Sequence, residues 1–347
     1  MAIPKLRSFD RKFRPPYQIR KPFQTLFVLG LLVVITLNAC GQSQSLQPLK
    51  IGITTWPGFD IVLYAQEAGI FKQRGLDVEL VRFENQQDSA RAVLRGALDA
   101  SFSSLWDVMQ VDPGNDKPEV LLVTNISHGS DGIVARSGIQ SVKDLPGKRV
   151  GAKLGTVNHL ILLEALKLHQ IKPEAVTIED VSNETAVDLL RNGKLDAAVV
   201  WQPLLGETAA AIKGKIIFTT KEVDSLVIDT LMSRSSITST KSAELIQLIQ
   251  SWFDVMQAVE TKPTEVYDQV GKAVGQTGVS FGQDYAGLKK GDIPMQQRMF
   301  QSKSRLREAI AQMAQLLKAD PRSGRVPRED VEINAELVTS AISTWKS

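Results

Sequence analysis

Few side chains in this 347-residue sequence are of the types that carry out covalent or metal chemistry. The sequence has one cysteine, Cys40, and three histidines, His128, His159 and His169, whose spacing is not that of a metal site. It contains no His-Glu-x-x-His segment, no Gly-Lys-Ser/Thr phosphate loop and no Gly-x-Gly-x-x-Gly dinucleotide fingerprint. We therefore expect no catalytic residue, no metal and no cofactor.

The residues around Cys40 predict export and modification of its thiol. A basic stretch, Lys5–Lys21, precedes the fifteen-residue apolar run Phe23–Leu37, which is typical of a secretory signal peptide. The segment Leu37-Asn38-Ala39-Cys40 resembles the lipobox of bacterial lipoproteins, in which the thiol is alkylated by a diacylglycerol and the chain is cut before it. Two alternatives stay open. The run is a transmembrane anchor, although spanning needs about 20 residues, or the cysteine is lost with an ordinary signal peptide.

The lipoprotein interpretation predicts a signal peptide over residues 1–39 and a tether over residues 40–48. Two acyl chains on Cys40 would anchor the protein peripherally to a membrane. We therefore expect an extracytoplasmic protein, in the periplasm or at the cell surface.

The charge of the chain changes when the signal peptide is removed. Residues 1–39 hold seven Lys or Arg and one Asp, a net charge of +6, whereas the whole chain is +3, so the rest is −3. A nucleic-acid partner would need a basic surface, and we expect none. Without a second cysteine, stability must come from the core, and the remaining 308 residues suit two lobes better than one.

Short β-rich runs alternate with helical stretches along the chain, which predicts an α/β protein with mostly parallel sheets. The predicted strands are Leu49–Thr54, Asp77–Phe83, Ala100–Ser103, Val120–Ser127, Arg149–Ala152, Ala175–Val181, Ala197–Trp201 and Lys215–Thr219, and a further apolar run covers Leu226–Ser233. The predicted helices are Ile61–Arg74, Gln87–Leu98, Val157–His169, Glu184–Asn192, Ser242–Glu260, Pro263–Ala273, Arg305–Leu317 and Ile333–Trp345.

One short segment occurs twice. Gly96-Ala97-Leu98-Asp99-Ala100 and Gly193-Lys194-Leu195-Asp196-Ala197 each lie between a predicted helix and a predicted strand. The expected role is the same in both: glycine ends the helix in a left-handed conformation, leucine packs back on it, and aspartate precedes a buried strand. The repeat favours two lobes of similar design, although helix–strand junctions also converge on such a pattern.

Several segments occur in an order typical of one family. They are Thr55-Trp56-Pro57-Gly58, Ala65–Phe71, Gly75–Glu79, the two Gly-x-Leu-Asp-Ala segments, Asp144–Gly151, Val199–Pro203 and Ile228–Leu231. With these, the chain resembles a substrate-binding protein of an ABC importer, in the nitrate/sulfonate/taurine group that is related to binders of thiamine pyrimidine precursors. Gln202 departs from the pattern, because members often carry an acidic residue there.

The resemblance implies two doubly wound lobes of the type II periplasmic binding protein kind, joined by two crossings, that close on a ligand. We place lobe 1 at residues 49–133 and 226–347 and lobe 2 at residues 134–225. The crossings are expected near Gly132–Ala135 and Val223–Asp229.

In open α/β sheets ligands bind outside the carboxyl ends of the strands, which selects the loops after each predicted strand. The ligand-binding candidates are Thr55, Trp56, Gly58, Ser103, Ser104, Trp106, Ser127, Asp131, Gly155, Thr156, Asn158, Trp201 and Asp229.

Each candidate also has a purely structural explanation. Gly155 and Thr156 open a helix, where free N–H groups bind anions, but Thr156 is equally an N-cap. The three tryptophans could stack on a ligand or simply pack. Asp131 could hold a ligand amine or belong to a turn, and Asp229, in an apolar run, must pair or face the cleft.

The sequence thus predicts a monomeric, lipid-anchored receptor, not an enzyme, that passes a small polar solute to ABC permease subunits. The expected solute is sulfonate- or taurine-like, nitrate-like or pyrimidine-like. A strongly charged anion is less favoured, because no arginine falls in a predicted cleft loop. An enzyme on the same fold and a sensory solute-binding lipoprotein are the alternatives.

Overall fold

The computed structural model describes residues 48–111, 116–301, 305–320, 322 and 327–346. The predicted signal peptide, Cys40 and the tether up to residue 47 lie outside the described residues.

The strands agree with the predicted ones, β10 begins in the apolar run Leu226–Ser233, and β5, β11 and β12 are additional. They are β1 (Leu49–Ile53), β2 (Val78–Arg82), β3 (Ala100–Ser104), β4 (Pro118–Ser127), β5 (Asp131–Ala135), β6 (Arg149–Gly151), β7 (Thr177–Glu179), β8 (Ala197–Trp201), β9 (Lys215–Thr219), β10 (Ile228–Arg234), β11 (Leu288–Lys290) and β12 (Glu332–Ile333).

The long helices also lie where the sequence predicts them, within a few residues. The helices are α1 (Pro57–Asp60), α2 (Leu63–Glu67), α3 (Ile70–Gln73), α4 (Gln86–Leu94), α5 (Leu105–Val108), α6 (Val157–Leu168), α7 (Asn183–Arg191), α8 (Leu204–Ala211), α9 (Ser235–Thr240), α10 (Ser242–Thr261), α11 (Pro263–Ala273), α12 (Gly278–Tyr285), α13 (Ile293–Phe300), α14 (Arg305–Ala319) and α15 (Ala335–Thr344).

The single helix predicted over Ile61–Arg74 is wrong, because the segment forms the two short helices α2 and α3. Gly69, at the start of α3, has a φ of 71°, in the left-handed region that does not continue a helix.

The strands form two sheets. The first has the order β11-β4-β10-β3-β1-β2, with β12 also paired to β4, and the second has the order β7-β6-β8-β5-β9. Within the first, β1 is parallel to β2 and β3, but β10 is antiparallel to β3 and β4. Both sheets are therefore mixed, and the expectation of mostly parallel sheets is wrong for the strands next to the crossings.

The crossings explain this reversal. The chain leaves the first sheet after Ser127, enters the second at Asp131, and returns between Thr219 and Ile228. The chain left the first sheet at the carboxyl end of β4 and re-enters it beside that same end. Strand β10 therefore runs antiparallel to β4. The predicted crossing near Gly132–Ala135 is displaced, because these residues lie inside β5 and the passage is residues 128–130.

Aromatic packing holds the loop after β1 against the core of the first sheet. Phe59 of α1 contacts Phe102 of β3 with ring centroids 5.9 Å apart, and Phe102 contacts Trp252 of α10 at 5.8 Å. All three side chains are buried. The position of Trp56, three residues before Phe59, is therefore set by the core.

Candidate functional site

Side chains from both sheets converge where the two crossings begin and end. In the first sheet Asp229, near the start of β10, is paired with Ser104 at the end of β3 and with Asn125 near the end of β4. In the second sheet Asp131, the first residue of β5, is paired with Trp201, the last residue of β8. The antiparallel strands thus bring their amino-terminal aspartates to the edges where the neighbouring strands have their carboxyl ends.

Trp56 connects these two groups. Its indole Nε1 donates to Asp229 Oδ2 at 2.7 Å, and its ring makes an edge-on contact with Trp201, with centroids 6.4 Å apart and planes at 82°. Its backbone N–H, just before the start of α1, donates at 3.0 Å to Oδ2 of Asp60, the last residue of that helix. A tryptophan that follows a strand of the first sheet is therefore in direct contact with a tryptophan of the second sheet.

Gly58 lies tightly against the same group of residues. A Cβ atom at this position would overlap the side-chain amide of Asn125 and would come within 2.7 Å of Trp56 Nε1. The predicted site residue Gly58 is thus required for space.

Asp131 and Asp229 are buried carboxyl groups. Burial raises the pKa of Asp131 to about 7, against a hydrogen bond from Ser127 that lowers it. Burial also raises the pKa of Asp229 well above its usual range, and the neighbouring Asp131 raises it further. The two carboxyl groups are therefore close enough to repel each other.

Oxygen atoms of three residues at or beside strand ends are buried without a hydrogen-bond partner in the described part of the chain. They are Asp131 Oδ2, Asn125 Oδ1 and the hydroxyl of Thr54, the residue after β1. Buried polar atoms in proteins are normally paired, so these atoms require an explanation.

A second set of hydrogen bonds joins the two sheets on the other side of the site. Ser104 Oγ donates to Asp107 Oδ2 at 2.6 Å, and Gln87 Nε2 donates to both Asp107 Oδ1 and the Gly155 carbonyl oxygen. Gln110 Nε2 also donates to that carbonyl, at 2.6 Å. Burial raises the pKa of Asp107 to about 6. Gly155 thus contributes a carbonyl oxygen that accepts from the first sheet's helices.

The crossings are bonded to each other. The hydroxyls of Ser127 and Thr220 are 2.7 Å apart, and the Gly129 N–H donates to Thr220 Oγ1 at 2.8 Å. The predicted site residue Ser127 therefore also fastens one crossing to the other.

The remaining predicted site residues are not all near the aspartates. Thr55 is exposed and accepts from Arg82 at 3.4 Å. Ser103 is buried in β3, where its hydroxyl is 2.9 Å from that of Ser101. Trp106 is 1% exposed, and its Nε1 is buried with no hydrogen-bond partner in the described residues.

The start of α6 uses its side chains locally. Thr156 is at the N-cap position, but its hydroxyl donates to the Lys153 carbonyl oxygen instead of capping the helix. Asn158 is 1% exposed, and its amide donates to Asn183 Oδ1 at 2.6 Å and to the Val199 carbonyl.

Sequence reasoning missed Thr54, Gln87, Asp107, Asn125 and Thr220. Asn125 carried a usable signal, as a polar residue inside the apolar run of β4. Arg82 was missed as well: it is the last residue of β2 and donates to Thr55, and its charge is paired with Asp60 at 3.1 Å.

Two other motifs have structural roles. His159 is fully buried, with Nε2 3.0 Å from Asp320 Oδ2, and burial lowers the pKa of its ring. Gly278–Gly282 has the Gly-x-Ser-x-Gly spacing of a hydrolase nucleophile, but it lies within α12 rather than between a strand and a helix. No group of three or more His, Cys, Asp or Glu in the described residues is placed to hold a metal ion.

Two mixed sheets joined by two crossings, with polar and aromatic side chains between them, define the periplasmic binding protein class. Solved structures agree. The aliphatic sulphonate binding protein SsuA from Escherichia coli aligns with a TM-score of 0.66 at 15% identity, over 86% of this chain and 97% of its own. SsuA from Xanthomonas axonopodis pv. citri, bound to MOPS, aligns with a TM-score of 0.64 at 14% identity, over 86% and 99%. At these identities the likeness shows the fold.

The chain belongs to the family described as NMT1/THI5 like, whose model matches residues 56–251. A Brucella abortus (strain 2308) relative named "Putative binding protein" is 28% identical over 173 residues, 49% of this chain and 52% of that protein. A Bacillus subtilis (strain 168) relative named "Putative aliphatic sulfonates-binding protein" is 23% identical over 193 residues, 54% of this chain and 58% of that protein. The chain spans little more than half the length of these curated relatives.

Both relatives are named as binding proteins, whereas a solved structure of the desulfurization enzyme DSZB shares the fold at 16% identity with a TM-score of 0.61. Among the described helices, none combines the length and the apolar character that crossing a membrane requires.

Proposed function

We propose that the protein is an extracytoplasmic receptor that binds a small polar solute between its two sheets and delivers it to an ABC importer. The two sheets with their helices would be the lobes, with lobe 1 close to residues 49–133 and 226–347 and lobe 2 close to residues 134–225, separated at the crossings. The relatives' names as binding proteins and the shared fold support this proposal.

The observation that carries the proposal is the meeting of Trp56 and Asp229 of one sheet with Asp131 and Trp201 of the other. Such a group is completed only when the two sheets approach each other. A solute that contacts both halves would favour the approached form by its differential affinity, which is how binding proteins of this class close.

Lipid anchoring is part of the proposal and rests on the sequence around Cys40. A diacylglycerol on this residue would keep the receptor beside the permease. The receptor would act as a monomer, since one chain supplies both halves of the site.

A thermal-shift screen of the full chain in mild detergent tests solute binding. The panel contains sulfonates and taurine, nitrate, bicarbonate, amines, and thiamine or pyrimidine precursors. A solute at a hundredfold excess over its dissociation constant should stabilise the native state by about 2.7 kcal/mol. If no compound raises the melting temperature, even after unfolding and refolding to remove carried-over solute, the receptor function is not supported.

Replacement of Cys40 by serine tests the anchor. The C40S variant should appear in the soluble extracytoplasmic fraction, because serine lacks the thiol that is alkylated. Wild-type protein should remain with the membrane fraction after a high-salt wash. A C40S protein that still sediments with membranes would contradict the lipobox interpretation.

A further inference from the structure

The buried oxygen atoms between the two sheets have a common chemical character. We define the acceptor cluster as Asn125, Asp131 and Asp229. Strands β10 and β4 are neighbours in the first sheet, and Asp229 is paired with Asn125 in register. Asp131 approaches from the second sheet, close enough to raise the pKa of Asp229.

The cluster offers more acceptors than donors. Asp131 Oδ2 and Asn125 Oδ1 are buried and have no hydrogen-bond partner in the described residues. Both residues are at least nine-tenths buried, at 2% and 0% exposure. An ionised carboxylate only accepts hydrogen bonds, so the free positions call for a group that donates several.

No side-chain cation compensates the cluster. In the described part of the chain, neither Asp131 nor Asp229 has a lysine, arginine or histidine nitrogen within ion-pair distance. The buried Asp60 provides a contrast within the same molecule, because Arg82 lies 3.1 Å from it. Leaving a buried carboxylate unpaired is costly, and at Asp60 that cost is offset by the counter-ion Arg82.

Aromatic rings border the cluster. Trp56 donates to Asp229, and its ring contacts that of Trp201. Indole faces attract organic cations through the negative potential of the ring, and tryptophan is the strongest of the aromatic residues in this respect. Carboxylates together with indoles are the usual combination for ammonium groups.

We propose that the solute carries an organic cation, an ammonium or amidinium group, that binds at Asp131, Asp229 and Asn125, beside Trp56 and Trp201. This inference rests on the proposed function, since it names the solute class of the same site. It separates this chain from the relatives named as sulfonate-binding, because the unpartnered Asp131 Oδ2 and Asn125 Oδ1 accept hydrogen bonds and a sulfonate group has none to donate. Arg82, the cation beside Thr55, is already paired with Asp60.

The test compares matched cations, anions and neutral molecules against the full chain, refolded to remove carried-over solute, at pH 8. The probes are choline and its uncharged carbon analogue 3,3-dimethylbutan-1-ol, butylammonium and butane-1-sulfonate, tetramethylammonium, agmatine and taurine. Thermal shift and quenching of tryptophan fluorescence report binding. We expect a shift with cations, none with 3,3-dimethylbutan-1-ol, and none with butane-1-sulfonate.

Variants assign any binding to the acceptor cluster. Asp131→Asn and Asp229→Asn should each weaken cation binding by about thirtyfold or more, because each leaves a buried charge interaction incomplete. Asp284→Asn is the matched control, since Asp284 also has a pKa raised by burial but is bonded to Gln276. It should change affinity by less than about twofold.

A second measurement does not depend on the choice of probe. Without solute at pH 8, Asp131→Asn should raise the melting temperature, because it removes an uncompensated charge, and Asp284→Asn should raise it less. A fall in melting temperature with Asp131→Asn would show that the charge is compensated within the protein, and would overturn the inference.

The outcomes also separate this inference from the proposed function. Sulfonate binding without cation binding overturns the cation inference but leaves the receptor function in place. Absence of binding by every probe and by the wider screen overturns both. Cation binding that Asp131→Asn and Asp229→Asn leave unchanged overturns the assignment to the acceptor cluster.

Discussion

At the scale of single residues, the protonation of Asp131 links the site to the stability of the whole chain. Burial raises the pKa of its carboxyl from 3.8 to about 7 in the native state, whereas in the unfolded chain it has its ordinary value. Between these two pH values the native state binds more protons than the unfolded state. The contribution of Asp131 to the free energy of unfolding is therefore fully present below about pH 4, and it is lost as the pH rises through about 7.

Asp131→Asn should flatten this pH dependence in the solute-free protein. The variant has no carboxyl to ionise, so the difference in free energy of unfolding between variant and wild type should grow in the variant's favour from pH 4 to pH 8. One pKa unit corresponds to about 1.4 kcal/mol, which sets an upper limit of about 4 kcal/mol. Urea unfolding midpoints at several pH values measure it.

Asp60 and Asp107 also have native pKa values of about 6, so the wild-type slope is a sum of several groups. The difference between the two proteins isolates Asp131 together with its interaction with Asp229. If the free energy of unfolding changes with pH in the same way for wild type and variant, the raised pKa of Asp131 is contradicted.

At the scale of elements, the repeated Gly-x-Leu-Asp segment has the same structure in both sheets. Gly96 and Gly193 have φ values of 85° and 71°. Asp99 Oδ2 accepts from the Lys50 N–H at 3.0 Å, and Asp196 Oδ2 accepts from the Arg149 N–H at 2.9 Å. The expected helix-ending role of this segment is therefore confirmed at both copies.

The leucines of the two copies are equivalent as well. A Cβ on Gly52 of β1 would lie 2.9 Å from Leu98 Cδ1, and a Cβ on Gly151 of β6 would lie 2.7 Å from Leu195 Cδ1. Each leucine thus packs against a glycine in the neighbouring parallel strand. The shared contacts support a common design for the two sheets beyond the five-residue pattern.

Leu98→Ala and Leu195→Ala should destabilise the protein by similar amounts. Each leucine is almost fully buried, at 4% and 1% exposure, so each truncation should cost about 2–5 kcal/mol. The double variant should show nearly additive effects, since the sites belong to different sheets. Urea denaturation of the three variants measures this, and a large difference between the two single variants would argue against equivalent packing.

At the scale of the whole molecule, hydrogen bonds between the two halves should contribute to solute affinity. Gln87 donates to the Gly155 carbonyl oxygen at 2.8 Å, across from α4 to the start of α6. If this bond forms when the lobes approach, its loss should shift the population away from the binding-competent form.

Gln87→Ala should therefore weaken solute binding by about fivefold, as one hydrogen bond contributes about 1 kcal/mol. Titration with a solute found in the screen measures the effect. Gln73→Ala is the control, because Gln73 is exposed and its amide bonds only locally, to the Ala68 carbonyl. Equal affinities for wild type and Gln87→Ala would show that this bond does not contribute to closure.

Much of the fold could be predicted from the sequence because its signals are local. The apolar runs of β1, β4 and β8, the helical spacing in α10 and the glycines that end helices depend on a few neighbouring residues. The division into alternating strands and helices, the α/β class and the loops that follow the strands were determined in this way.

The rest depends on distant residues. β11 and β12 are short and acquire their structure by pairing with β4, and the direction of β10 depends on where the chain returns from the second sheet. No local pattern marks Gln87 or Thr220, since their partners are 20 to 93 residues away.

The sequence by itself determined the elements, the repeated helix–strand junction and the candidate residues at the strand ends, because these follow from short-range patterns of apolar, turn and capping residues. Only the tertiary structure decided which candidates meet. It placed Asp131 beside Asp229 and Trp56 against Trp201, and it gave Ser103 and Asn158 partners within their own sheets. The physical reason is that burial and neighbouring charge, which set the chemistry of a carboxyl group, arise from residues brought together by the two crossings.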